Sequence, residues 1–180
     1  MKTLEESTQL RYERKFLIAD HSYQQVEQIL KFHPAAFSEI FQERTVNNIY
    51  FDTLGYQSYY DNVDGEKERI KVRIRWYGDS DVQIEKPVLE LKIKNGLLGN
   101  KKTYPLNSFK LDGNFSKEQI IIALENNKTP KQINDYLLSL KPVLMNQYLR
   151  KYFVSADQKY RITIDHDLKY NKIGYDIGFV

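Results

Sequence analysis

Residues 69–76 read Arg-Ile-Lys-Val-Arg-Ile-Arg-Trp, so that four cationic side chains alternate with four apolar ones. Alternation with a period of two is typical of a β-strand whose two faces lie in different surroundings. Neighbouring cations on one face of such a strand lie ~6.6 Å apart and repel each other by roughly 2.5 kcal/mol at an effective dielectric constant of about 20. The segment therefore predicts a face that needs water, acidic side chains or an anionic ligand.

Further segments with strand character flank this one, and several of them also place charged residues at alternate positions. They are Leu10–Ile18, Arg44–Phe51, Val88–Lys94, Lys101–Tyr104, Val143–Ser155, Tyr160–Asp165 and Leu168–Asp176. Apolar residues at helical spacing predict helices over residues 22–32, 116–126 and 130–138. One cationic strand is explained by solvent, whereas several with aligned cations predict a sheet that curls around a ligand. The sequence thus predicts an α+β fold, an antiparallel β-barrel with a charged bore and with helices packed outside it.

Size and composition fit a single domain over residues 1–180. The net charge is only +3, which does not favour nucleic acid as a partner, so an anion site must come from local clustering of cations. The chain has no cysteine, which excludes disulfides, thiolate metal sites and a cysteine nucleophile. Neither a leader nor an apolar run of transmembrane length is visible, so we expect a cytoplasmic protein or the cytoplasmic module of a larger one.

Five motifs carry a resemblance to a known family: Arg11–Phe16, Val72–Gly78, Leu89–Lys92, Tyr148–Phe153 and Tyr160–Asp165. In this order and spacing they resemble the vacuolar transporter chaperone (VTC) polyphosphate polymerase domain. That domain belongs to the triphosphate tunnel metalloenzymes, together with the CYTH-like triphosphatases. The resemblance implies a tunnel barrel that binds ATP or another nucleoside triphosphate, uses Mn²⁺ or Mg²⁺, and transfers the γ-phosphoryl group to a polyphosphate chain. A membrane-bound partner stays open.

The resemblance also implies which residues act. The implied phosphate-binding cations are Lys15, Arg73, Arg75, Lys92, Lys101, Arg150 and Arg161, of which Arg73, Arg75 and Lys92 are the implied catalytic residues. Lys101 is preferred to Lys102 because it shares strand parity with Thr103. Glu13 is the candidate metal ligand, since the triphosphatase branch opens with two alternate glutamates and Arg11 stands here at the first of them. This departure favours the polymerase-like members.

Several alternatives stay open. The family's closing strands, with a metal-binding glutamate and C-terminal lysines, are not found before Val180, so a domain truncated at its C-terminus is one alternative. A triphosphate hydrolase and a non-catalytic polyphosphate or nucleotide sensor are the others for function. Among single residues, Glu90 is expected to orient cations rather than to bind a metal, and Glu13 has a surface ion pair as its simpler explanation. The run 165–167 is expected to form a turn rather than a metal cluster.

Overall fold

The computed structural model describes residues 13–78, 83–96, 98–111, 117–125 and 127–173. Its elements are α1 (Tyr23–Lys31), β1 (Ser38–Asp52), α2 (Gln57–Val63), β2 (Glu68–Tyr77), β3 (Gln83–Ile84), β4 (Val88–Asn95), β5 (Leu98–Pro105), β6 (Phe109–Lys110), α3 (Lys117–Leu124), α4 (Lys131–Ser139), β7 (Lys141–Val154) and β8 (Arg161–Lys172). The α+β class is confirmed. None of the helices in these residues is long and apolar enough to cross a membrane.

Six strands form one antiparallel sheet in the order β5-β4-β2-β1-β7-β8, and β3 pairs separately with β6. The long strands β1 and β7 are neighbours inside the large sheet, where they pair from Ser38 and Val154 to Asp52 and Lys141. Within the described ranges, β5 and β8 are its two edges. Closure of this sheet into a barrel therefore remains a prediction.

One face of the sheet is apolar and forms the core. On this face Ile49 pairs with Ile74 and Phe51 pairs with Val72, and all four side chains are buried. The helices α3 and α4 and the short strand β6 contribute the buried residues that pack against them. A smaller cluster joins α1 to the same side of β7 and β8 through Leu30, Phe153 and Ile164. Because helices cover this face, the opposite face is left to the charged residues.

The predicted helix over residues 22–32 is confirmed as α1. Its first turn is closed by a capping box, in which the Ser22 hydroxyl accepts from the Gln25 amide and the Gln25 side chain accepts from the Ser22 amide. The helix directs Val26 and Leu30 toward the sheet. The helices predicted over 116–126 and 130–138 also form, as α3 and α4.

The prediction of a first strand over Leu10–Ile18 is wrong for its described part. Residues 13–18 have no regular secondary structure, and residues 10–12 lie outside the described ranges. Strand formation requires a neighbour to accept the backbone hydrogen bonds. No strand of the described chain pairs with this segment, and Leu17 is 97% exposed.

The prediction of a turn over residues 165–167 is also wrong. The strand β8 runs without interruption from Arg161 to Lys172. Asp167 adopts a positive φ of 51°, and the pairing with β7 shifts between Gln147 and Leu149. Residues 165–167 thus form a β-bulge, which bends the strand without ending it.

Candidate functional site

Cations from six strands lie on the face opposite the core. Cross-strand partners share a face, and the register joins Asn48 to Arg75, Arg73 to Glu90, Lys71 to Lys92 and Lys92 to Lys101 on one side of β1. On the other side it joins Arg44 to Arg150, Arg150 to Asp165 and Val154 to Arg161. We call the surface formed by Arg44, Lys71, Arg73, Arg75, Lys92, Lys94, Lys101, Arg150 and Arg161 the cationic face.

Six of the seven predicted phosphate-binding residues are on this face, and Lys15 lies beside it. Lys15 belongs to the irregular segment before α1, and its side chain is 79% exposed. Its ammonium group is 4.0 Å from the Glu13 carboxylate, which is in turn 3.9 Å from Lys92. Segment 13–15 therefore reaches the cationic face at β4, although it does not pair with the sheet.

Glu90 is the central acid of the cationic face. Its Oε2 accepts hydrogen bonds from Nε and Nη2 of Arg73 at 2.8 and 2.5 Å, and its Oε1 accepts one from Lys101 at 2.6 Å. The Nη1 atom of Arg75 lies 4.0 Å from the same Oε2. Burial opposes ionisation of Glu90, but Lys101, Arg73 and Arg75 outweigh it and hold its pKa below the ordinary value. This carboxylate therefore orients three cations toward one another.

Arg75 is held from its other side by buried amides. It is only 8% exposed, and it donates from Nε to Asn48 Oδ1 at 2.8 Å and from Nη2 to the Tyr148 hydroxyl at 3.2 Å. Asn48 in turn donates to Asn146 Oδ1 at 2.8 Å. These contacts run through β2, β1 and β7, so the guanidinium has a fixed orientation. Sequence reasoning missed Asn48 and Asn146, although amides inside an apolar strand signal a buried network that needs partners.

A second arginine cluster lies where β1, β7 and β8 meet. Arg150 donates two parallel hydrogen bonds to the Asp165 carboxylate at 2.5 and 2.6 Å, and its guanidinium is 5.1 Å from the ring centre of Tyr148. Arg44 lies over the ring of Phe41 at 4.7 Å. Sequence reasoning also missed Arg44, which no acid within the described residues neutralises through an ion pair. The charge-assisted pair with Asp165 and the neighbouring aromatic rings together restrain the Arg150 guanidinium.

Lys71 experiences unbalanced positive charge. It is half-buried, and its pKa is lowered by burial and by the charges of Arg69, Lys15 and Lys92. Among the described residues it forms no ion pair with an acid. Like charges directly opposite each other in a sheet are destabilising by a few tenths to about 1 kcal/mol. The cationic face thus carries a cost in stability at this point.

We predict that the Lys71→Gln variant is more stable than the parent chain. Because the pKa of Lys71 is depressed, its charged form destabilises the fold below that pKa, and the cost disappears as the pH rises toward the ordinary value of 10.5. The expected gain is about 0.5–1 kcal/mol at pH 7 and low salt, and it should shrink as salt is added. Thermal unfolding of both chains at two salt concentrations measures it. An unchanged or lower midpoint would contradict the electrostatic account of this site.

The described residues offer few ligands for a metal ion. They contain no group of three or more histidine, aspartate or glutamate side chains that could hold one. On the cationic face, Glu90 and Asp165 already accept hydrogen bonds from arginines, and Glu13 is a single carboxylate between Lys15 and Lys92. A single carboxylate fits an Mg²⁺-type ion that takes its other ligands from water and from substrate phosphates. It does not fit an ion held by protein ligands alone.

A comparison with protein-family models gives a match over most of the chain. The family model for the VTC domain matches residues 10–178, which is nearly the whole chain. The matched range includes every strand of the sheet and every member of the cationic face. No curated protein matches the chain.

Proposed function

Because the chain belongs to the VTC domain family, we propose that it is a polyphosphate polymerase-like domain that binds nucleoside triphosphate and polyphosphate on its cationic face. The family relates to polyphosphate metabolism, and polymerase activity is the part we propose for this chain. The observation that carries the proposal is the cluster in which Glu90 orients Arg73, Arg75 and Lys101. A site of fixed guanidinium and ammonium groups suits a ligand with several adjacent negative charges far better than a ligand with a single carboxylate.

The fixed cations supply what phosphoryl transfer needs from a protein. Charge spreads over the oxygens of the transferring phosphoryl group, and donors that are already oriented stabilise it without reorganisation. Arg73 and Arg75 meet this condition, because hydrogen bonds to Glu90 and Asn48 hold them before any ligand arrives. Lys92 lies on β4 directly opposite Lys101 of β5, and its flexible side chain adds a mobile charge. These residues bind and orient the triphosphate in the proposed reaction.

We propose a single protein ligand for a divalent ion. Glu13 is the described carboxylate nearest to Lys15 and Lys92 without a hydrogen bond to an arginine. Glu13 would hold Mn²⁺ or Mg²⁺, and the ion would supply positive charge to neutralise the phosphates. We expect the phosphates to bring the ion and Glu13 to add one ligand, which agrees with the sparse set of acids on the face.

The tunnel is also part of the proposal. The two edge strands β5 and β8 carry Lys101 and Arg161 on the same face as the central cations. Strands in a twisted antiparallel sheet curl, and if this sheet curls toward the cationic face its edge cations approach each other across the bound phosphates. A tunnel of this kind would shield the reacting groups from water.

Incubation of the full chain with ATP and Mn²⁺ tests the proposal. We expect inorganic polyphosphate to accumulate, and chelation of the metal to stop its formation. Free phosphate without chains would instead support a triphosphate hydrolase, and tight binding of polyphosphate without turnover would support a sensor. Failure to bind ATP, tripolyphosphate or polyphosphate at all would overturn the assignment of the cationic face.

A further inference from the structure

A cavity of about 580 Å³ lies between α1, the first part of β1 and β7. Its lining includes two carboxylates, two aromatic residues and one ammonium group, from Glu39, Glu43, Tyr23, Phe41 and Lys151. Lys151 alternates with Phe153 along β7, and Phe153 packs against α1. The cavity therefore opens on the side of the sheet opposite the cationic face. We call it the α1 cavity, and its size suits a small molecule or a side chain of a partner.

Strand β1 is irregular where it borders the α1 cavity. Its pairing with β7 shifts between Glu39 and Phe41 and shifts again between Phe41 and Arg44. The pairing with β2 begins only at Val46, and the side chains of residues 38–44 are exposed. Bulges redirect side chains and are frequent next to binding sites. Consecutive residues from 39 to 43 line one cavity here, which the alternating faces of a regular strand would not allow.

The α1 cavity has more negative charge than its own cations neutralise. The ammonium group of Lys151 donates to Glu27 at 2.9 Å. Glu39 forms no ion pair with a cation of the described residues, and the Glu43 carboxylate is 2.8 Å from Nε2 of His166. The pKa of Lys151 is raised, first by its hydrogen bond to Glu27 and further by the charges of Glu39 and Glu43. Both lining carboxylates therefore act on the cavity without a bonded lysine or arginine.

His166, beside the α1 cavity, gives a second indication that a positive charge is missing. It is 8% exposed, and its ring stacks on Tyr23 with the ring centres 3.8 Å apart. Its Nδ1 has no hydrogen-bond partner among the described residues, although the Asp167 carboxylate lies 3.3 Å away. When Nε2 donates to Glu43, Nδ1 of the neutral ring is an acceptor that faces another acceptor. A cation bound nearby would offset this repulsion.

The lining favours an organic cation over a metal ion. The described residues contain no group of three or more histidine, aspartate or glutamate side chains that could hold a metal. The aromatic residues Tyr23 and Phe41 and the aliphatic Ile40 instead offer cation–π and apolar contacts. An ammonium group on an alkyl chain gains from the carboxylates and from these walls. A hydrated metal ion gains from the charge alone.

We propose that the α1 cavity is a binding site for an organic ammonium group, carried by a linear polyamine or by a lysine side chain of a partner. The ammonium group binds at the Glu39 and Glu43 carboxylates, and its alkyl chain packs against Ile40 and the aromatic residues. The site lies on the other side of the sheet from the arginine clusters. This inference does not depend on the proposed function.

Calorimetric titration of the full chain with spermidine and, separately, with tetralysine tests the site at low salt, without nucleotide or metal. We expect the parent to bind at least one of them with a dissociation constant below about 1 mM, and Glu39→Gln/Glu43→Gln to lose about tenfold. Tighter binding of spermidine identifies a free polyamine as the ligand, and tighter binding of tetralysine identifies a lysine side chain of a partner.

Two further variants control for folding and for net charge. Glu39→Gln alone removes no ion pair within the described ranges, so it should fold as the parent does and lose about threefold in affinity. Glu66→Gln/Glu85→Gln is the matched control, because it makes the same change in net charge at exposed positions outside the cavity. This control should bind both ligands as tightly as the parent.

Three results would overturn the proposal. The first is a parent chain that binds neither spermidine nor tetralysine. The second is equal affinity of Glu39→Gln/Glu43→Gln and the Glu66→Gln/Glu85→Gln control, which would mean that net charge alone attracts the ligand. The third is displacement of spermidine by Mg²⁺ as readily as by 1,4-diaminobutane at equal ionic strength, since the site would then not recognise the ammonium group and its chain. None of these results bears on polyphosphate synthesis.

Discussion

Replacement of Glu90 with alanine is expected to lower the free energy of unfolding by about 2–4 kcal/mol. The side chain of Glu90 is only 7% exposed, and without it Arg73, Arg75 and Lys101 converge with no counter-charge. Removal of one member of a buried ion pair is costly because the remaining charge stays desolvated. Lys101 is half-exposed and can turn to solvent, which places the expected loss below that of a fully buried triad. Urea unfolding, with a shift of the midpoint at constant slope, measures the loss.

Two further measurements distinguish this electrostatic loss from a simple cavity. Polyphosphate should raise the unfolding midpoint of Glu90→Ala by more than that of the parent, because a bound anion replaces the missing charge. The stability that the parent gains from ionised Glu90 is present above the ordinary pKa of 4.5 and is lost as the pH falls through the lower pKa of the folded state. Glu90→Gln, which conserves volume, should lose stability at pH 7 and show a weaker acid dependence. A Glu90→Gln variant as stable as the parent at pH 7 would contradict this account.

The cationic face could be predicted from the sequence because strand parity is a local property. Alternate positions of one strand share a face whatever the strand pairs with. The run around Arg73 and Arg75 and the run around Glu90 and Lys92 each defined a face independently, and the register then brought both runs to one surface. The preference for Lys101 over Lys102 rested on the same parity, and the pairing of Lys101 with Lys92 agrees with it.

The parts that could not be predicted depend on distant partners. The sequence predicted a strand over Leu10–Ile18, yet its described part, residues 13–18, pairs with no strand of the described sheet. β1 begins at Ser38, six residues before the predicted start, because β7 is long enough to pair with this extension. The turn expected over residues 165–167 is a bulge in a continuous strand, since pairing with β7 on both sides outweighs the local preference of the polar residues. Partner length and register are not encoded in any one segment.

The side chains that orient the arginines could not be predicted from the sequence, for a related reason. Asn48 lies in the middle of β1, and its role is visible only when β2 and β7 are placed on either side of this strand. It then accepts from Arg75 and donates to Asn146. The sequence indicated that cations would gather on one face. It did not indicate which neutral groups would fix their orientation.

Arg75→Lys should lower turnover with ATP by about 100-fold, and in a chain without turnover it should lower affinity for tripolyphosphate by about tenfold. Lysine keeps the charge but cannot reproduce the planar fork that donates to Asn48 and Tyr148, so the cation loses its fixed orientation. A preorganised donor matters most where charge develops during the reaction, and the effect should therefore fall on kcat more than on KM.

Arg69→Lys is the matched control for this prediction. Arg69 lies on the same strand, and its guanidinium donates to the backbone oxygen of Glu66 at 2.8 Å rather than to the groups around Arg75. The same chemical change there should alter turnover or affinity by no more than about twofold. Thermal unfolding of both variants first confirms that they are folded at the assay temperature. Equal effects of the two substitutions would mean that net charge, and not the fixed orientation of Arg75, governs phosphate binding on this face.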